Sequence, residues 1–146
     1  MACYSVAFYN SLLSVGKNKE ESTEILYNIC WDIYKIMGEA PMIIANTISS
    51  NKHIKLEVAT KIFRIFPFSS PDYIWEDVES DNKTVAFDCK QCRVAEYFMD
   101  NNIGDVCYNT WCKLDFPLAE QWGGSLERKG SIANGNKICD FRWKTE

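Results

Sequence analysis

Apolar residues recur at helical spacing over the first 66 positions, then switch to strand spacing in later blocks. Val6, Ala7, Tyr9, Leu12 and Leu13 predict a helix over 3–15, closed by Gly16. Asn18 reads as the cap of a second helix, with Glu21 in the capping-box position. Ile25, Leu26, Ile29, Cys30, Ile33, Ile36 and Met37 form its apolar stripe, and Cys30 reads as core. Gly38 is expected to stop this helix, and Pro41 to open a short one over 41–49. Ile54, Val58, Ile62, Phe63 and Phe66 predict a further helix over 52–66, ended by Pro67.

Residues 72–80 and 84–91 read as strands joined through Ser80-Asp81-Asn82-Lys83, a β-hairpin. Helical spacing returns over 92–102, with Val94, Ala95, Phe98 and Met99 on one side. Residues 106–121 predict a second helical piece with a kink or end at Pro117. The blocks 125–133 and 137–144 flank Asn134-Gly135-Asn136, a hairpin signal. The expected fold class is α+β: a helix-rich N-terminal half, then an antiparallel sheet built from two hairpins with an intervening helix. Residues 1–146 are expected to form a single domain.

A net charge of −4 and a pI near 5.1 argue against binding a nucleic-acid backbone. No apolar run is long enough to span a membrane, and the N-terminus lacks the basic region of a signal peptide. A cytoplasmic protein with reduced thiols is the expectation, and an odd count of seven cysteines speaks against a closed disulfide framework. The composition is compatible with a homo-oligomer. His53 is the one histidine, so a His-rich zinc site is excluded, as is a Ser–His triad without His53.

Reactive side chains concentrate between Cys89 and Asp140. Cys89 and Cys92 form a C-x-x-C at a strand-to-helix junction, a spacing that suits a metal or a redox pair. With Cys107 and Cys112 they are the alternative ligands for a metal ion; otherwise no cofactor is expected. Cys92 lies at a helix N-terminus, where the dipole favours thiolate and hence a nucleophile. Cys112 and Asp115 are three apart and share a helix face. Asp115 stands among Trp111, Leu114, Phe116, Pro117 and Leu118, where burial would raise its pKa toward that of a general base. Cys139 and Asp140 point to opposite sheet faces, so one of them can face a site. Arg128 and Arg142 on the last hairpin could each clamp a substrate carboxylate.

The segment LERKGSIANGNKICDFRW, residues 126–143, resembles the closing motif of the L-2-amino-thiazoline-4-carboxylic acid hydrolase family. Cys92 followed by Ala95, then Cys107, Cys112 and Asp115, also fits that family's pattern. The resemblance implies a hydrolase of non-peptide C–N bonds. It would open a small cyclic amidine-like ring, giving N-carbamoyl-L-cysteine. Cys92 or Cys112 would attack or position the ring carbon, Asp115 would activate water, and Arg128 or Arg142, with Cys139 nearby, would hold the substrate. The element order also resembles the small-molecule-binding domain of the 4-vinyl reductase and transport-particle type. That likeness supplies the alternative, a non-catalytic small-molecule or metal-binding, redox-sensing domain.

Overall fold

The computed structural model describes residues 1–145. Helix α1 spans Ala2–Ser14. The expected capping box forms at the next helix: Glu21 N–H donates to Asn18 Oδ1 at 2.9 Å, and Asn18 N–H to Glu21 Oε2 at 3.3 Å. Helix α2 then runs unbroken over Lys19–Ile48, through both Gly38 and Pro41, instead of ending at Gly38. An interior proline costs ~3 kcal/mol, so packing must offset it. Gly38 and Pro41 both lie on the buried face, Leu118 and Trp122 pack against Gly38, and the Trp122 indole N–H donates to the Gly38 carbonyl at 2.9 Å.

The buried face of α2 also differs from the expected stripe. Leu26, Cys30, Tyr34, Gly38, Pro41 and Ala45 are buried, whereas Ile29, Ile33 and Ile36 are exposed. Helix α3, Lys52–Ile65, is capped by the Asn51 side chain, which accepts from the His53 and Ile54 N–H groups.

The first hairpin forms as read: β1, Tyr73–Val78, pairs antiparallel with β2, Thr84–Cys92. Helices α4 (Arg93–Asp100) and α5 (Gly104–Asn109) follow. A 3-10 turn, Trp111–Leu114, leads into α6, Asp115–Gln121. The break in this region falls at Thr110 (φ −114°, ψ −96°), not at Pro117. Pro117 sits in the first turn of α6, where a missing N–H leaves no ladder bond unmade.

Strands β3, Gly124–Glu127, and β4, Cys139–Thr145, pair antiparallel, so the second pairing holds. Its turn does not. Asn134-Gly135 makes no tight hairpin; Ile132–Asn134 is a 3-10 turn closed by Gly135 at φ 84°, inside a connection over residues 128–138. The sheet order is β1-β2-β4-β3, which makes the last strand a central one.

One sheet face is apolar. Val85 faces Trp143, Phe87 faces Phe141, and Cys89 faces Cys139 across the β2–β4 ladder, all six buried. The other face carries Asp88, Asp140, Arg142 and Lys144. Contacts of α3 with β2 and β4 place a helix over this sheet. No helix among the described residues is long and apolar enough to cross a membrane.

Candidate active site

The two ends of the chain and its middle meet at a cavity of about 80 Å³. Aromatic rings make up much of its wall, including Tyr34, Phe63, Phe87, Trp111 and Phe141. Into this apolar wall the fold sets five thiols, one carboxylate and two guanidinium groups: Cys89, Cys92, Cys107, Cys112, Cys139, Asp115, Arg64 and Arg128.

Backbone geometry explains how both cysteines of the C-x-x-C reach it. Strand alternation would send residues three apart to opposite faces. Tyr73 pairs with Cys92 and Ile74 with Gln91, but Trp75 pairs with Cys89, so the ladder skips Lys90. That irregularity resets the phase of β2 and turns both sulfurs inward. Cys89 Sγ then donates to the Gln91 carbonyl at 2.9 Å. Cys92 becomes the cap of α4, its sulfur accepting from Ala95 N–H at 3.4 Å.

The polar centre lies opposite. Asp115 is buried, and each of its oxygens is held: Tyr34 Oη donates to Oδ1 and Arg128 Nη1 to Oδ2, both at 2.6 Å. Arg128 Nη2 donates to the Cys112 carbonyl at 2.6 Å. The guanidinium lies between the Phe116 and Phe141 rings, 5.2 and 5.1 Å from their centroids. Cys112 lies in the 3-10 turn that runs directly into α6 at Asp115, three residues on. Its sulfur is 3.4 Å from Ser131 Oγ. Ser131 Oγ also lies 4.0 Å from the Cys139 sulfur, which accepts from Ile132 N–H at 3.2 Å.

These surroundings separate the thiols. Burial pushes Cys92 up to about 12, against the Ala95 and Val94 N–H groups. Burial likewise raises Cys89 and Cys139. Cys112 moves the other way: the neighbouring Cys107 thiol lowers it, and the Arg128 charge and Ser131 add to this against burial. Cys107 is raised in turn, by the neighbouring Cys112 thiol and by burial. Asp115 is pushed above its ordinary 3.8 by burial, opposed by Arg128 and Tyr34.

Comparison with known proteins agrees with the family likeness. The model of the family described as L-2-amino-thiazoline-4-carboxylic acid hydrolase matches residues 2–143. The chain belongs to that family. No curated protein matches it. Among solved structures it is similar to an Fe(II) unliganded H-NOX protein from K. algicida, at 10% identity over 95% of this chain and 69% of that one, with a TM-score of 0.44. That is too distant a likeness to carry functional weight.

Within this hydrolase-family fold, Cys92, Cys112, Asp115, Arg128 and Cys139 come together at the cavity. Arg142 does not join them. It projects from the charged face of β4 and donates to Asp88 Oδ1 at 3.0 Å and the Phe87 carbonyl at 3.1 Å. Alternation along β4 is the cause, because Cys139, Phe141 and Trp143 occupy the inner face. Burial works against the thiolate expected at Cys92, pushing its pKa up despite two N–H donors. Although Cys89, Cys92, Cys107 and Cys112 all border the cavity, no three His, Cys, Asp or Glu side chains among the described residues are grouped to hold one metal ion. Tyr34 and Ser131 are site residues that the motif reading missed. Tyr34 could have been found from the steps Leu26, Cys30, Tyr34, Gly38, a second helical face beside the isoleucines. No sequence signal marked Ser131.

Proposed function

We propose that the cavity hydrolyses a small cyclic isothiourea carboxylate of the 2-amino-thiazoline-4-carboxylate class, with Cys112 as nucleophile. The observation that supports this most is the joining of Cys112 and Asp115 through one arginine at a cavity wall. Cys112 is favoured over Cys92 because its surroundings stabilise thiolate, whereas those of Cys92 favour the neutral thiol.

Atom balance fixes which bond breaks. In an N-carbamoyl-L-cysteine product the ring nitrogen stays on the carbonyl carbon, so the bond that opens is carbon–sulfur. Cleavage of the ring C–N bond, the outcome first read from the family likeness, would give the S-carbamoyl isomer instead. For the N-carbamoyl route, the Cys112 thiolate adds to the amidine carbon between sulfur and nitrogen. The tetrahedral adduct expels the ring sulfur, which takes a proton and becomes the product thiol. Water then adds to the same carbon, and Cys112 leaves as thiolate while the amidine becomes a urea.

Asp115, with its pKa raised by burial, takes the proton from that water. Tyr34 and Arg128 hold the carboxylate in place for it. Arg128 also contributes positive charge beside the Cys112 thiolate.

Turnover of L-2-amino-thiazoline-4-carboxylate, followed by release of free thiol, tests the reading. Wild type should release one thiol per ring opened. Cys112→Ser should fall to background, and Cys92→Ser should retain turnover. Activity unaffected in Cys112→Ser would reject Cys112 as nucleophile. An amine appearing without a thiol would show C–N cleavage.

A further inference from the structure

Helix α2 has two apolar faces, and the fold uses one of them. The second runs through Ile29, Ile33, Ile36, Ala40 and Ile43, with Ile44 and Ile48 beside it. These positions advance by alternate steps of four and three, the period of a coiled-coil seam. All six isoleucines are exposed, Ile36 to 62% and Ile43 to 63%. Together they present on the order of 600 Å² of apolar surface, most of the ~800 Å² per partner that a stable interface buries. A patch of this size stands at the top of the range that monomeric proteins leave in water, where such patches often serve binding.

We infer that this seam pairs, antiparallel, with α2 of a second copy of the chain. Two such helices crossing beside Ile36 and Met37 bring Ile29 against Ile44 of the partner subunit, and Ile33 against Ala40 of the partner subunit. In these two layers an isoleucine meets either another isoleucine or the small residue that makes room for it. A closed twofold contact of this kind needs the self-complementary surface that the seam provides.

The charges agree with the direction. Asp32, Lys35 and Glu39 lie along one edge of the seam. Antiparallel pairing turns this edge toward its own copy and sets Lys35 beside Glu39 of the partner subunit twice, whereas parallel pairing turns Glu39 toward the apolar edge of Ile44 and Ile48 of the partner subunit. Glu24, Asp32 and Glu39 also oppose docking on an anionic lipid surface, which selects basic helices. The pairing reaches the site, because Tyr34, on the opposite side of the same helix, holds Asp115. The inference does not depend on the proposed reaction.

Sedimentation equilibrium of the whole chain at micromolar concentration should give twice the 16.8 kDa chain mass. Ile36→Glu should raise the dissociation constant on the order of 100-fold or more, with an unchanged circular dichroism spectrum, since Ile36 lies outside the monomer core. Direction is read by cross-linking in a Cys3→Ser background. Ile29→Cys mixed with Ile44→Cys should form a disulfide-linked dimer in air, and neither alone should do so efficiently. A monomer at every concentration, a dimer that survives Ile36→Glu, Ile29→Cys linking mainly to itself, or a monomer that sediments with lipid vesicles would each overturn the pairing.

Discussion

Arg128 donates to the Asp115 carboxylate from one guanidinium nitrogen and to the Cys112 carbonyl from another, each at 2.6 Å. One side chain, 2% exposed, therefore sets the spacing of the two groups given chemical roles. It also neutralises a charge that the core could not otherwise hold. Arg128→Met should destabilise the fold by ~3–5 kcal/mol, the range for breaking a buried ion pair from one side. Adding Asp115→Leu should recover part of that loss. Urea unfolding of the single and double variants measures both effects. A double variant no more stable than the single would mean that packing of Arg128 between Phe116 and Phe141, not the ion pair, dominates.

Tyr34→Phe removes the other donor to Asp115 while keeping the ring against Phe63 and Trp111. A hydrogen bond to a charged group contributes ~1.5–3 kcal/mol, and the loss should fall in that range. The Tyr34 hydroxyl lowers the Asp115 pKa, so its removal should raise it further. The acidic limb of the pH–rate profile should then move to higher pH. An unmoved limb would detach Tyr34 from the base.

Alkaline pH should weaken the fold. Burial pushes Cys30 up to about 11 and Cys92 to about 12, from an ordinary 9.0. Above 9.0 the unfolded thiols lose protons that the folded ones keep. The stabilisation is complete below 9.0 and is lost as pH rises through 11 and 12, by up to ~1.4 kcal/mol per pH unit per thiol. Cys112, lowered from 9.0, acts oppositely: its contribution is present above 9.0 and fades as pH falls through its lower value. Cys92→Ala should flatten the alkaline decline in urea midpoint. An unchanged slope would mean that its sulfur is not buried as described.

Arg142 and Gly38 give a paired control. Arg142 faces away from the cavity, so Arg142→Ala should leave kcat/KM as in wild type. A large fall in kcat/KM would bring the charged sheet face into the site. Gly38→Ala should cost ~1–3 kcal/mol by overpacking, because its Cβ would run into Leu118 near Trp122. Thermal unfolding reads it, and an unchanged midpoint would mean that α6 shifts to make room.

Local chemistry made much of the fold legible. The Asn18–Glu21 box, the apolar spacing of α3 and the alternation of Cys139, Phe141 and Trp143 along β4 are each carried by side chains within a few residues. What was hidden depended on distant contacts. Gly38 and Pro41 read as breakers until Trp122 and Leu118, far along the chain, pack on them. Asn134-Gly135 reads as a hairpin turn, but the N–H groups of Lys129 and Gly130 are taken by Asp140, and the chain takes the longer route. At the site, spacing placed Cys112 and Asp115 together, whereas the ladder irregularity that turns Cys89 and Cys92 inward has no sequence mark. Dipole reasoning at Cys92 counted two N–H donors and not the apolar wall around the sulfur, which pushes its pKa the other way.

The strand order β1-β2-β4-β3 has a consequence for biosynthesis. Until Cys139–Thr145 has left the ribosome, β2 and β3 are two raw edges with a gap between them, and Phe87, Val85 and Leu126 have no neighbour across it. A nascent chain stalled before residue 139 would expose that slot to any passing strand. For this protein the burden on chaperones should therefore last until Cys139–Thr145 has emerged, because the cavity wall that β4 supplies cannot close before then.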